Sequence, residues 1–263
     1  MIRNFFYHDS MLLKIIRQVI FYSLLYFLWL FLFNLKLWPS YLFPSPAQVG
    51  ETFISIYKDK TLFSAIFVTM KRLLLGYGIS VVIGVAIGLV IGKIRVLDET
   101  LGGFFVGIQT LPSICWLPLA ILWFGLSEAA IIFVVIMGSL LSVTIATDSG
   151  VKNIQPMYLR AGRNMGARGI DMFLYVIFPA ALPSIVGGLK QGWSFAWRAL
   201  MGAEIVFATL GLGHLLNVGR ELNDMSQVMA VMIVIIVIGI VMDMLVFGSL
   251  ERKFRKLWGL EKS

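Results

Sequence analysis

The sequence predicts an all-α integral membrane protein with about six transmembrane helices. Hydrophobic residues make up 59% of its 263 residues and charged residues only 14%, whereas soluble domains carry about 25% charged residues. The mean hydropathy is +0.89. Several apolar runs approach the roughly 20 residues that a helix needs to cross a bilayer. Helices are expected because lipid leaves no water to satisfy backbone N–H and C=O groups.

The apolar runs divide the chain into three parts. Residues 1–62 are predicted to hold the first helix and an external loop, residues 63–250 the transport core, and residues 251–263 a basic cytoplasmic tail. The first run is longer than the core of a signal peptide and lacks a small-residue cleavage site, so we expect a retained helix. The six predicted helices are Gln18–Leu35, Leu73–Gly92, Phe104–Gly125, Ala129–Thr147, Leu182–Leu210 and Val228–Leu250.

The second predicted helix carries a small residue at every fourth position. The stripe runs from Gly76 through Ser80, Gly84 and Gly88 to Gly92. Small residues on one face let the backbone of another membrane helix approach closely. We therefore predict tight helix packing along this stripe.

The third predicted helix is irregular. It contains Pro112 and Pro118 together with the polar residues Gln109, Thr110 and Ser113. Proline removes a backbone hydrogen bond that polar neighbours or water must replace. Irregular membrane helices often line a pathway, but kinks that serve packing alone are about as common, so both interpretations stay open.

The distribution of Lys and Arg predicts the orientation of the chain. Most of the 22 basic residues fall in segments that are cytoplasmic if six helices follow a cytoplasmic N-terminus, so the C-terminus is also cytoplasmic. Lys71 and Arg72 fall among the external residues in this arrangement. The net charge of +8 is therefore interpreted as a topology signal rather than as nucleic-acid binding. Because Cys115 is the single cysteine and the two histidines are far apart in sequence, no metal site or disulfide is predicted.

The segment between the fourth and fifth predicted helices is cytoplasmic and has the pattern of a protruding helix. It reads Arg160-Ala161-Gly162-Arg163-Asn164-Met165-Gly166, and the chain returns to the membrane through a proline-punctuated stretch, 177–183. Small residues would let such a helix enter the cleft of a partner. From the residues alone, partner docking and an ordinary loop helix are about equally favoured.

At this segment the sequence resembles the permeases of binding-protein-dependent ABC importers, in the nitrate/sulfonate/taurine group. That family has a coupling loop with the pattern Glu-Ala-Ala, three residues, Gly, then nine residues, Ile, one residue, Leu-Pro. Here Ala161, Gly162 and Gly166 occupy the Ala, Ala and Gly places, and Arg160 stands where glutamate is usual. Val176 and Phe178-Pro179 occupy the Ile and Leu-Pro places of the loop pattern. Stretches outside the loop that resemble the family are Phe43–Pro46, Leu117–Gly125, Ala203-Glu204 and Gly211–Gly213.

The resemblance implies a machine of several chains. Two permease chains, here a homodimer, would form the pathway in the bacterial inner membrane, and an extracytoplasmic binding protein would deliver the substrate. Partner ATPase subunits would bind ATP and Mg, so this chain is expected to hold no cofactor and to have no catalytic residue. Its segment Gly88–Lys93 is not a phosphate loop, because Ile94 replaces the required Ser or Thr. The resemblance assigns ATPase coupling to Arg160, Ala161, Gly162, Gly166, Ala167 and Pro179.

Charged residues inside the membrane suggest the substrate class. Arg198 lies near the middle of the fifth predicted helix, where a charge costs about 3 kcal/mol and should face a pathway or a partner. It could attract an anion or form a structural ion pair, and Lys190 could pair with Asp243. We expect import of a small anion such as nitrate, a sulfonate or taurine; the alternatives are a neutral or cationic substrate, such as a vitamin precursor, and a membrane-embedded enzyme. The predicted pathway residues are Gln109, Thr110, Ser113, Trp197, Arg198 and Glu204, although tryptophans at such positions more often serve packing.

Overall fold

The structure, a computed structural model, describes residues 11–207 and 209–257 and is almost entirely helical. The predicted all-α membrane fold is confirmed. The ten residues before Met11 and the end of the predicted basic tail, which includes Lys262, lie outside the described residues. The helices are α1 (Met11–Asn34), α2 (Pro46–Lys58), α3 (Thr61–Lys93), α4 (Arg95–Gln109), α5 (Ser113–Phe124), α6 (Glu128–Lys152), α7 (Pro156–Asn164), α8 (Gly169–Val206), α9 (Leu212–Glu221) and α10 (Met225–Val241, continued by Met242–Phe247 and Gly248–Leu257).

Within residues 11–207 and 209–257, five helices are long and apolar enough to cross a membrane: α1, α3, α6, α8 and α10. A sixth span results if α4 and α5 count as one, and these two helices meet at an angle of 99°. The predicted third helix is therefore a bent pair. Pro112 sits at the bend with ψ 133°, outside the helical region. A proline cannot continue the helix before it, because its ring removes a backbone donor and clashes with the preceding turn.

Two segments that the sequence assigned to loops are helical. The polar stretch after Pro44 contains α2, which begins with a capping box in which Ser45 and Gln48 bond each other's backbone. The segment 211–227 contains α9. Hydropathy does not detect such amphipathic helices, since they are not apolar throughout.

α3 is longer than predicted and begins at Thr61 rather than at Leu73. Its 33 residues span about 50 Å, against about 30 Å for the hydrocarbon core. Arg72 is consequently a helical residue with 3% exposure and not part of an external loop. This corrects the sequence-based assignment of Lys71 and Arg72.

The chain forms two compact units. One consists of Met1–Thr61 and Leu215–Met232, and within its described part the indole N–H of Trp29 donates to the Pro44 carbonyl at 3.0 Å. The larger unit consists of Leu62–His214 and Ile233–Ser263.

The core of the larger unit is built on α6, which packs between glycine-rich faces of α3 and α8. A methyl group added at Gly88 of α3 would lie 2.5 Å from the Thr144 carbonyl oxygen, and one added at Gly188 of α8 would overlap the Ala146 side chain. The predicted close packing along the α3 stripe is confirmed. The predicted Lys190–Asp243 ion pair also forms, with 3.0 Å between Nζ and Oδ1.

Candidate functional site

A cavity of about 350 Å³ lies in the larger unit at the bend between α4 and α5. Its volume is within the range of small-molecule sites in proteins. The bend supplies one wall, and α6 and α8 supply the others. Its lining residues are Gln109–Ile114, Met137, Gly138, Leu141, Phe195, Arg198, Ala199 and Gly202.

The polar groups of this cavity come from the bend. Gln109 ends α4, Thr110 follows it, and Ser113 begins α5. The hydroxyl of Thr110 donates to the Gly107 carbonyl at 2.7 Å. No side-chain cap closes the N-terminus of α5, and a helix N-terminus carries partial positive charge from its unsatisfied N–H groups. The C-terminus of α4, with its unsatisfied carbonyl groups, meets the same bend, so the bend offers both donors and acceptors to a ligand.

Arg198 brings a full positive charge to the same cavity. Its Nε donates to the Ser194 carbonyl at 3.1 Å, and its guanidinium lies 4.8 Å from the centroid of the Phe195 ring. Among the described residues, no carboxylate lies within salt-bridge distance of Arg198, and none lines the cavity. The cation is exposed to the cavity, and its remaining N–H donors are available to a ligand.

Two of the predicted pathway residues lie elsewhere. Trp197 is 9% exposed and does not line the cavity, and its indole nitrogen lies near Gly239 of α10. Glu204 is fully buried and bonds Arg72, not Arg198. The cavity therefore combines Gln109, Thr110, Ser113 and Arg198, whereas Trp197 and Glu204 lie outside it.

The segment between α6 and α8 contains the expected short helix, α7. It ends in a Schellman arrangement, in which the Ala167 N–H bonds the Gly162 carbonyl at 2.9 Å and the Gly166 N–H bonds the Arg163 carbonyl at 3.0 Å. Gly166 has φ +88°, a conformation that residues with a Cβ adopt only at a cost. The glycine therefore ends the helix at this point.

One face of α7 is covered and the other is open. Gly162 is buried against α8. A Cβ added to it would lie 2.8 Å from the Val176 side chain and 3.2 Å from that of Met172. Arg160 and Ala161 are exposed, Met165 is 87% exposed, and Ala167 is half-buried. Pro179 is half-buried near the start of the membrane-spanning part of α8. The helix thus presents exposed residues while Gly162 anchors it.

The comparison with known families decides the class. The sequence profile of the family described as binding-protein-dependent transport system inner membrane component matches residues 80–256. The chain belongs to this family.

Relatives place the permease in the nitrate, sulfonate and taurine group. The taurine transport system permease protein TauC of Escherichia coli strain K12 is 28% identical over 221 residues, which cover 82% of this chain and 80% of TauC. The nitrate import permease protein NrtB of Synechocystis is 28% identical over 209 residues, or 76% of each chain. A crystal structure of an amino acid ABC transporter with histidines is similar in fold, with a TM-score of 0.60 and 20% identity, over 76% of this chain and 98% of that one.

The permease has a second polar site that sequence reasoning missed. Arg72 of α3 donates through Nη1 to Glu204 and to the Leu210 carbonyl, each at 2.8 Å. Its Nε donates to Glu128 at 2.7 Å, and its Nη2 contacts Glu128 and, at 3.2 Å, Thr209. One buried guanidinium therefore joins α3 to α6, α8 and the segment that follows α8.

Glu204 completes this network from the opposite side. Its carboxylate accepts from the Thr69 hydroxyl at 3.0 and 2.9 Å and from the Gly213 N–H at 3.0 Å, and the Leu212 N–H donates to the Thr69 hydroxyl at 2.9 Å. A Cβ at Gly213 would lie 2.6 Å from the Glu204 Cβ, and one at Gly211 equally close to the carboxylate. The spacing of Ala203-Glu204 and Gly211–Gly213 is thus explained by a loop that closes over the carboxylate.

Proposed function

We propose that this permease forms one half of an ATP-driven importer for a small anion in the bacterial inner membrane. Two copies would line the pathway as a homodimer, with both termini cytoplasmic. Partner ATPase subunits would bind ATP and Mg, and an extracytoplasmic binding protein would deliver the substrate. The relatives that import taurine and nitrate support this assignment.

The observation that carries the anion assignment is Arg198 in the cavity at the bend. A guanidinium without a carboxylate partner attracts an anion, and its planar donors can grip an oxyanion with two parallel hydrogen bonds. The hydroxyl of Ser113 adds a neutral donor, whereas that of Thr110 already donates to the Gly107 carbonyl. Such a set suits a nitrate or sulfonate group better than an ammonium group.

Coupling to ATP hydrolysis is assigned to α7. It is short, ends at Gly166 and exposes Arg160, Ala161 and Met165, while Gly162 packs on the start of α8. Because that start continues into the helix that bears Arg198, a displacement of α7 by an ATPase would be transmitted toward the cavity. Rigid-body movement of packed helices is a common mechanism of such transitions.

Reconstitution tests the function. The permease is purified with its ATPase subunits, placed in proteoliposomes and supplied with its binding protein, and uptake of labelled taurine and nitrate is compared with uptake of a neutral and a cationic vitamin precursor. We expect uptake of an anion that requires both ATP and the binding protein. Uptake restricted to neutral or cationic solutes would overturn the anion assignment, and chemical conversion of a substrate by the permease alone would favour a membrane-embedded enzyme.

A further inference from the structure

α4 is held weakly against the rest of the larger unit. None of its residues, Arg95–Gln109, is buried, whereas α6 has twelve buried residues. Cβ atoms added at Gly103 and Gly107 would meet nothing within 4 Å. The helix is thus an arm that projects from the bend at Pro112 with few packing contacts of its own.

A second cavity, of about 280 Å³, separates this arm from α6. Its lining residues include Gly102, Phe105 and Val106 of the arm and Thr144 and Ser149 of α6. The cavity that contains Arg198 is lined by 109–114 on one side and by residues 137–141 of α6 on the other. Both cavities therefore follow the same face of α6, and the second lies nearer to the cytoplasmic loop.

An ion cluster forms part of the lining of the second cavity. The ammonium of Lys152, at the end of α6, contacts Asp98 of the arm and lies 2.6 Å from Oδ2 of Asp148. The side chains of Lys152 and Asp98 are 35% and 38% exposed, and that of Asp148 is 13% exposed. Oδ1 of Asp148 is buried without a hydrogen-bond partner among the described residues.

The charge of this cluster opposes the passage of an anion. Two carboxylates surround one ammonium, so the net charge is −1, and a negative group at the end of an anion route repels the substrate. The link also joins the arm to α6 at its far end from the bend. At Asp98 the arm itself widens into a π turn, Asp98–Gly102, and such turns often occur at functional sites.

We propose that Asp98, Lys152 and Asp148 form a latch that holds the arm on α6 and closes the cytoplasmic end of the anion route. The inference rests on the proposed function only in taking the transported substrate to be an anion. The latch itself concerns the contact between the arm and α6 and does not depend on the substrate. When Lys152 separates from Asp98, the arm can turn about the bend at Pro112, and the second cavity opens toward the cytoplasm. Lys152 is then a positive group on the wall of the route.

The test measures the accessibility of Thr144, which lines the second cavity and is 1% exposed. Thr144→Cys is introduced with Cys115→Ser, and the complex with its ATPases is labelled in inside-out vesicles by a membrane-impermeant maleimide, without nucleotide or substrate. Asp98→Asn and Lys152→Met should each raise the labelling rate about fivefold, the size expected when one half-exposed ion pair is lost. The exchanged pair, Asp98→Lys with Lys152→Asp, should return the rate to that of the parent.

The matched control is Glu99→Gln. Glu99 pairs with Arg95 at 2.7 Å within the arm, so its loss changes charge at the same place without freeing the arm. An unchanged rate in Asp98→Asn, an equal rise in Glu99→Gln, or a failure of the exchanged pair to restore the parent rate would each overturn the latch. Because labelling needs no substrate, these outcomes are distinct from a failure of anion uptake, which would instead reject the proposed function.

Discussion

Removal of the Glu204 charge should destabilise the permease more than removal of the Glu128 charge, the other acid of the Arg72 network. Glu204 is fully buried, and its carboxylate accepts from three donors, the Thr69 hydroxyl, the Arg72 guanidinium and the Gly213 N–H. In Glu204→Gln, the new amide N–H₂ faces groups that are themselves donors. Arg72 keeps Glu128 as its counter-ion, but loses the partner that is buried with it.

The expected loss follows from burial. Breaking a buried ion pair by removing one partner costs about 3–5 kcal/mol, and because Glu128 still compensates Arg72, we expect a value of about 3 kcal/mol. For a chain of this length, about 1 kcal/mol shifts the melting temperature by roughly 2–4 °C, so the melting temperature should fall by about 6–12 °C. Glu128→Gln is the matched control: its side chain is 56% exposed, and such a pair contributes about 1 kcal/mol or less.

The assay is thermal unfolding of the detergent-purified protein, followed by tryptophan fluorescence at one heating rate. Arg72→Met combined with Glu204→Leu should be less destabilised than the sum of the two single variants, because no buried charge is then left without its partner. A melting temperature of Glu204→Gln within about 2 °C of the parent, or equal to that of Glu128→Gln, would show that the buried Arg72–Glu204 pair does not stabilise the fold as expected.

Three further predictions concern packing, coupling and orientation. Gly88→Val should prevent stable accumulation in the membrane because its side chain meets the α6 backbone, whereas Gly78→Val, at a position with nothing within 4 Å, should accumulate normally; immunoblots of membrane fractions compare them. Gly166→Leu should abolish substrate-stimulated ATP hydrolysis of the assembled complex, since a backbone φ of +88° disfavours leucine. The control Met165→Leu, at an exposed position, should retain this hydrolysis. Normal hydrolysis in both variants would show that α7 is not the coupling element. Asn153→Cys, with Cys115 replaced, should resist an impermeant maleimide in intact cells, and efficient labelling would invert the predicted orientation.

The parts of the fold that the sequence predicted are those that a local pattern records. The period-four stripe from Gly76 to Gly92 predicts a close helix contact, and the opposite charges of Lys190 and Asp243 at similar depth predict an ion pair. Both depend on helical geometry alone. The span count holds for the same reason, since the length of an apolar run determines whether a helix crosses a bilayer.

The parts that were missed depend on tertiary contacts. Arg72 and Glu204 are 132 residues apart in sequence, and the residues that flank each of them give no indication that the two form an ion pair. The sequence signal that could have indicated this site is the occurrence of Gly211 and Gly213 shortly after Glu204. Two glycines at this spacing suggest a backbone that packs closely against a neighbouring side chain, here the Glu204 carboxylate. The 99° bend was also missed, because Pro112 predicts a kink but not its angle.

For the candidate site, the sequence identified the residue types but not all of their positions. Gln109, Thr110, Ser113 and Arg198 converge on one cavity because the bend returns the chain toward α8. Trp197 adjoins Arg198 in sequence, yet successive residues of a helix point about 100° apart, so it packs toward α10 instead. Their roles in transport stay predictions.

The proposed role of Arg198 is to bind the anion as it crosses the membrane, and uptake by Arg198 variants in proteoliposomes tests this role. Arg198→Gln should assemble with the ATPases and melt near the parent temperature, because Arg198 has no carboxylate partner among the described residues. Its ATP-dependent anion uptake should nevertheless fall at least about tenfold, since a lost charged hydrogen bond is worth about 1.5–3 kcal/mol. Arg198→Lys should keep part of the uptake, and Arg95→Gln, which removes an exposed guanidinium from the arm, should keep nearly all of it. Undiminished anion uptake by a well-folded Arg198→Gln protein would contradict this role.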